Sequence, residues 1–206
     1  MKTLFVIVIC LHSVICFGQK VSIEKLDKGN DSHLSVVIKE KQSVKRYFVG
    51  CGLKDITLLP DSTKIRLIGN LLSYTTYTAK CFAPVTLLSN HYMGKKNPIS
   101  KEYNLQIDAL ILINYIAFSS NAFIFSPYTL LYDKENKKEI CCKSKALYEV
   151  IDIYKEWYKN IQTNGFVNYS YPLLNGRYEW FGSKTQQKVF KRYPEWLDFY
   201  SCKELE

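Results

Sequence analysis

Leu105-Gln106-Ile107-Asp108-Ala109-Leu110-Ile111-Leu112-Ile113-Asn114-Tyr115-Ile116-Ala117-Phe118 is the stretch on which the fold class turns. Asn97-Pro98-Ile99 precedes Ser100, whose hydroxyl suits a helix N-cap, so the spacing predicts a helix over 101–118. Its apolar side chains point in nearly every direction, which a surface helix cannot tolerate. The helix must be central, enclosed on several faces. It does not read as a membrane span, because the uninterrupted apolar run is far shorter than the roughly 20 residues a bilayer needs, and Gln106, Asp108 and Asn114 punctuate it. Asp108 is the anomaly within it. A carboxylate in such a helix must lie near an exposed end, be paired, or be functional. Capping of the helix or pairing with a lysine is the expected arrangement, and Asp108 is also the only named catalytic candidate.

Two further helices flank this one. After Leu59-Pro60, Asp61 or Ser62 can cap a helix near 62–75 with Ile65, Ile68, Leu71 and Leu72 as its apolar face. A helix near 144–162 starts at Ser144. It carries Leu147, Val150, Ile151, Tyr154, Trp157 and Ile161 on one stripe, with Glu149, Asp152, Lys155, Glu156 and Lys159 opposite, and ends at Asn164-Gly165. Between the helices the period changes to two. Val21 to Leu26 alternates, Asp27 to Ser32 supplies turn residues, and Leu34 to Lys39 is the expected hairpin partner, with β-branched Val36-Val37-Ile38 favouring strand over helix. Tyr128 to Tyr132, the polar turn Asp133 to Lys137, and Lys138 to Ile140 form a second hairpin. A short strand is expected at 178–181 and a last helical turn at 194–200. The sum is an α+β fold, a single compact domain with at least three helices and short β-hairpins.

The N-terminus sets the expected compartment. Lys2 is followed by an uncharged apolar run from Leu4 to Ile9, and Cys16 and Gly18 provide the small side chains that signal peptidase needs. Residues 1–18 therefore read as a signal peptide and 19–206 as one globular domain. The expectation is an exported protein, in the periplasm, on the cell surface or secreted, of a Gram-negative bacterium. Removing the leader leaves a net charge of +8, because Lys2 is one of the 28 basic side chains set against 19 acidic ones. Scattered lysines behind a leader do not point to nucleic acid. They suit an unidentified protein partner or an anionic envelope or glycan surface, with no transmembrane span after cleavage.

Of seven cysteines, Cys51, Cys81, Cys141, Cys142 and Cys202 lie beyond the leader, where disulfides can persist. The odd number leaves at least one unpaired within the chain. Adjacent Cys141 and Cys142 make a strained ring, so the expected bridges are Cys51 with Cys81 and one of Cys141 or Cys142 with Cys202.

Catalytic signatures are scarce. His33 and His91, the only histidines beyond the leader, share no motif, and no metalloprotease helix, nucleophile elbow or phosphate loop is present. No metal or cofactor is expected. Gly50-Cys51-Gly52 with His91 is the one cysteine–histidine combination on offer. The aromatic segment around Pro172 to Arg177 is the candidate binding surface, with Arg177, Tyr178 and Trp180 as its contacts. These features point first to a non-enzymatic binding or interaction protein of the cell envelope. The alternative is a secreted carboxylate-dependent hydrolase acting on cell-wall or polysaccharide material.

Overall fold

A computed structural model of the chain describes residues 20–48, 54–88, 97–166 and 171–192. The expected leader, the Cys51–His91 combination, Cys202 and the expected turn at 194–200 lie outside the described residues. Alternation becomes a hairpin where expected: β1 (Lys20–Lys28) and β2 (Asp31–Lys39) pair antiparallel in the register Val21↔Ile38 to Lys28↔Asp31. Gly29 opens the two-residue turn with a φ of 63°, the left-handed region that such hairpins require. A short β3 (Val44–Tyr47) pairs with Val36 to Lys39, so β2 is the central strand. Ser32 to Ile38 are buried without interruption, on both faces.

Next come the single turn α1 (Lys54–Thr57) and then α2 (Asp61–Ser73). Neither Asp61 nor Ser62 caps α2. Pro60 occupies the cap position, its carbonyl accepting from the Lys64 amide at 3.0 Å, and no side chain contributes.

The central helix, α3 (Leu105–Phe118), begins later than the sequence suggests. Residues 101–103 stay extended because they are tied to 79–81: the Cys81 amide donates to the Tyr103 carbonyl and the Leu105 amide to the Ala79 carbonyl, each at 2.9 Å. The Ser100 amide donates instead to Glu139, and Asn104 is the cap, its Oδ1 accepting from the Ile107 amide at 3.2 Å. Every residue of α3 is buried. It packs against α2 and β2, and α5 (Lys145–Asn164) reaches it through Tyr154 on Asn114 and Trp157 against Phe118. The Ser144 hydroxyl caps α5 by accepting from the Leu147 amide at 3.1 Å, and Gly165, with a φ of 66°, ends it.

After α3 come the single turn α4 (Ala122–Phe125) and the hairpin strands β4 (Leu131–Asp133) and β5 (Lys138–Ile140). Beyond α5, β6 (Tyr178–Trp180) adds to β4, giving a second antiparallel sheet in the order β5-β4-β6. A helix not foreseen from the sequence, α6 (Ser183–Arg192), follows and packs on α4. Two small antiparallel sheets and these helices make an α+β fold, and among the described residues no helix is long and apolar enough to cross a membrane.

Candidate functional site

Asp108 is neither capping an exposed helix end nor paired with a lysine. It is completely buried, in the first turn of α3, and its partner is His33: Nδ1 lies 2.8 Å from Oδ2. The same oxygen accepts from the Leu34 amide at 2.7 Å, and Oδ1 accepts from the Tyr103 hydroxyl at 3.3 Å. The topology explains why an acceptor is needed here. β3 covers β2 only from Val36 to Lys39, so the Leu34 amide at the same edge has no strand to meet. The 80–82 segment serves Ser32, and Asp108 serves Leu34.

Cys81 completes the cluster. Its Sγ is 3.4 Å from Nδ1 of His33, and it is 1 % exposed against 5 % for His33. Phe48 stacks on the imidazole at 5.2 Å and Phe82 meets it edge-on at 5.1 Å. Burial opposes charge on His33, but the bonds to Asp108 and Cys81 outweigh it and push the imidazole up to about 10. Burial, reinforced by Asp108 and Cys81, pushes the Tyr103 phenol far above its ordinary value.

This set does not have the geometry of a nucleophilic triad. There the base uses one ring nitrogen for the nucleophile and the other for the orienting carboxylate. Here both Asp108 and Cys81 face Nδ1, so the imidazole cannot relay a proton between them. A hydrolytic role for Asp108 also lacks support, because its oxygens already serve three donors in a closed space. Among the described residues, His33, Cys81 and Asp108 are the group of three with metal-ligating atoms gathered together, all within 4.8 Å of one another. Cys81 is free in this arrangement. Cys141 and Cys142 are free as well, their sulfurs 3.4 Å apart. The expected partners Cys51 and Cys202 lie outside the described residues.

The expected binding contacts Arg177, Tyr178 and Trp180 are drawn inward. Trp180 is fully buried, its Nε1 donating to the Tyr154 hydroxyl at 3.0 Å. Tyr154 donates to Asn114 at 2.7 Å, and the Asn114 amide donates to Tyr171 at 3.0 Å. The polar interruption of α3 thus anchors a chain of hydrogen bonds joining β6, α5 and the 171–176 loop. Tyr178 is 3 % exposed and donates to Glu149. Arg177 grips Asp133 through Nε at 3.1 Å and Nη2 at 2.6 Å, with Glu135 and Glu149 beside it. These three residues hold the second sheet to α5.

The Arg177 guanidinium, helped by amides of the 134–137 turn, holds the Asp133 carboxyl well below the usual carboxylate range. Asp133 therefore contributes stability that is present above its unfolded pKa of about 3.9 and is lost as pH falls below it. Asp133→Asn is expected to be less stable than wild type at neutral pH, with the difference shrinking as pH drops below about 4 in urea titrations. A gap independent of pH would contradict the pairing.

A surface groove of about 820 Å³ lies between the C-terminal half of α5 and the 171–176 loop. Asn160, Thr163, Asn164 and Asn175 line it together with Trp157 and Leu174, and Leu174 is 43 % exposed. Its two charged side chains, Glu156 and Lys159, pair with each other at 3.0 Å. The groove borders the aromatic segment singled out from the sequence, but Arg177, Tyr178 and Trp180 do not line it. Comparison of the chain with protein-family models, with curated proteins and with solved structures finds no match in any of the three.

Proposed function

We propose that this is an exported, non-enzymatic binding protein that holds a neutral, hydroxyl-rich ligand, a segment of glycan chain, in the groove between α5 and the 171–176 loop. The observation that carries this reading is the chemistry of the lining. Asn175 and the paired amides of Asn160 and Asn164, the latter donating to the former at 2.6 Å, leave amide edges matched to sugar hydroxyls, the Thr163 hydroxyl keeps its acceptor side, and the exposed Leu174 side chain with the outer edge of the largely buried Trp157 indole offers apolar contact. The groove's own charges cancel, so an ionic ligand has nothing to meet there. The enclosure of Asp108 weighs against the carboxylate-dependent hydrolase, and the N-terminal leader pattern supports export.

Titration with neutral cello-, chito- and malto-oligosaccharides, followed by calorimetry and indole fluorescence, tests the assignment. At least one series is expected to bind saturably. Asn160→Ala combined with Asn175→Ala is expected to weaken that binding by tenfold or more, on the order of two lost hydrogen bonds. Absence of saturable binding across all three series, or full affinity in the double variant, would overturn it.

A further inference from the structure

Outside the groove, chemistry is concentrated in the buried cluster at the start of β2 and α3. Three donor atoms of different kinds converge there: imidazole Nδ1 of His33, Sγ of Cys81 and carboxylate Oδ2 of Asp108. Nδ1 can carry a single hydrogen, yet Oδ2 stands 2.8 Å and Sγ 3.4 Å from it. A single Nδ1 hydrogen shared between the two makes at most a weak three-centre bond. A shared cation would hold both donor atoms directly.

We propose that His33, Cys81 and Asp108 are the ligands of a structural divalent metal site of the zinc class. For metal–nitrogen and metal–sulfur bonds of about 2.0 and 2.3 Å, a tetrahedral angle gives a nitrogen–sulfur edge of about 3.5 Å. The observed separation is 3.4 Å. The corresponding nitrogen–oxygen edge is about 3.3 Å, so Asp108 and His33 part by about half an ångström, a shift within reach of carboxylate rotation. Binding forms metal–nitrogen and metal–sulfur bonds as the N–H of Nδ1 and the S–H of Cys81 break, both hydrogens leaving to solvent as protons.

The donor set selects the ion. Imidazole with thiolate suits zinc or cobalt and disfavours magnesium and calcium, which take oxygen ligands. Phe48 and Phe82 flank the imidazole, and the three ligand side chains are themselves buried, so the ion enters as the chain folds. The surroundings are already built for the role. The Leu34 amide fixes Oδ2 and the Tyr103 hydroxyl fixes Oδ1, so Tyr103 is a positioning residue. An ion here ties together β2, the 80–82 segment and α3, which are far apart in sequence. The inference is independent of the glycan reading, with which it shares no residue.

The test uses the full chain, reduced and metal-free, titrated with Co2+ alone. One equivalent is expected to give a thiolate-to-cobalt charge-transfer band in the near ultraviolet and visible bands of tetrahedral intensity, and Zn2+ is expected to displace it stoichiometrically. Cys81→Ser and His33→Gln should lose the charge-transfer band. Cys141→Ser combined with Cys142→Ser should keep it, since those thiols lie elsewhere. Tyr103→Phe retains all three ligands and is expected to show the same band with affinity lowered about tenfold or more. Zn2+ should raise the Tm of wild type and not that of Cys81→Ser. The proposal is overturned if wild type gives no charge-transfer band, a result that needs no variant to fold. It is equally overturned if the band survives Cys81→Ser, or if mass mapping of the native protein finds Cys81 in a disulfide.

Discussion

Asp108→Ala, measured by urea denaturation in the presence of a chelator, is expected to lose about 3–5 kcal/mol of folding stability, the range for removing one partner of a buried ion pair. The magnitude follows from what is stranded. Asp108 is wholly inaccessible, and its loss leaves the His33 imidazole, the Leu34 amide and the Tyr103 hydroxyl without their acceptor. Water cannot replace it without opening the interface between β2 and α3. Asp108→Asn keeps the shape and one acceptor oxygen, so its cost should be smaller than that of alanine. A loss below about 1 kcal/mol for Asp108→Ala would mean that the cluster is not closed in solution. The chelator separates this result from metal binding, because the loss is expected with no ion present.

Trp180→Ala is expected to cost about 3–5 kcal/mol, the range for truncating a buried tryptophan. The indole is fully buried at the junction of the second sheet with α5, and its N–H starts the hydrogen-bond chain through Tyr154 and Asn114 to Tyr171. Trp180→Phe restores most of the ring volume and removes only the donor, so its cost should fall to about 1–2 kcal/mol. The difference between the two variants separates packing from hydrogen bonding. Because Trp180 supports the 171–176 loop from within and does not line the groove, folded Trp180→Phe should bind oligosaccharide with wild-type affinity. If Trp180→Phe lost binding while its thermal unfolding stayed cooperative and close to wild type, the indole would belong to the ligand surface after all.

The same residues mark the boundary of what could be read in advance. Trp180 and Tyr178 are two apart in a strand, so their common face was legible, but a strand has two faces. Only the packing of α5 decides that this face is the inner one. Arg177 carries a charge that equally suits a ligand or a neighbour, and the decision rests with Asp133 at the end of the adjacent strand β4, 44 residues away. Helix α6 escaped notice because Ser183-Lys184-Thr185-Gln186-Gln187-Lys188 is almost wholly polar. Its Gln186 is nonetheless fully buried. Hydrophobic periodicity is silent about an element of this composition.

By itself, the sequence determined the elements whose signals are local. The α3 run, apolar on all sides, could only be a central helix. The stripe from Leu147 to Ile161 could only lie on a core, with Ser144 and Gly165 as its natural limits. The alternation before Gly29 and the β-branched run after it favoured a hairpin over a helix. Each of these follows from the periods of helix and strand and from the backbone preferences of a few residues. The tertiary structure alone decided what Asp108 meets. His33 is 75 residues before it, and Cys81 is 48 residues beyond His33. They come together because β3 stops short, which leaves the Leu34 amide at an open edge for α3 to approach. No periodicity encodes a meeting of three segments so far apart. It is set by where one short strand ends and by the requirement that a buried polar group find a partner.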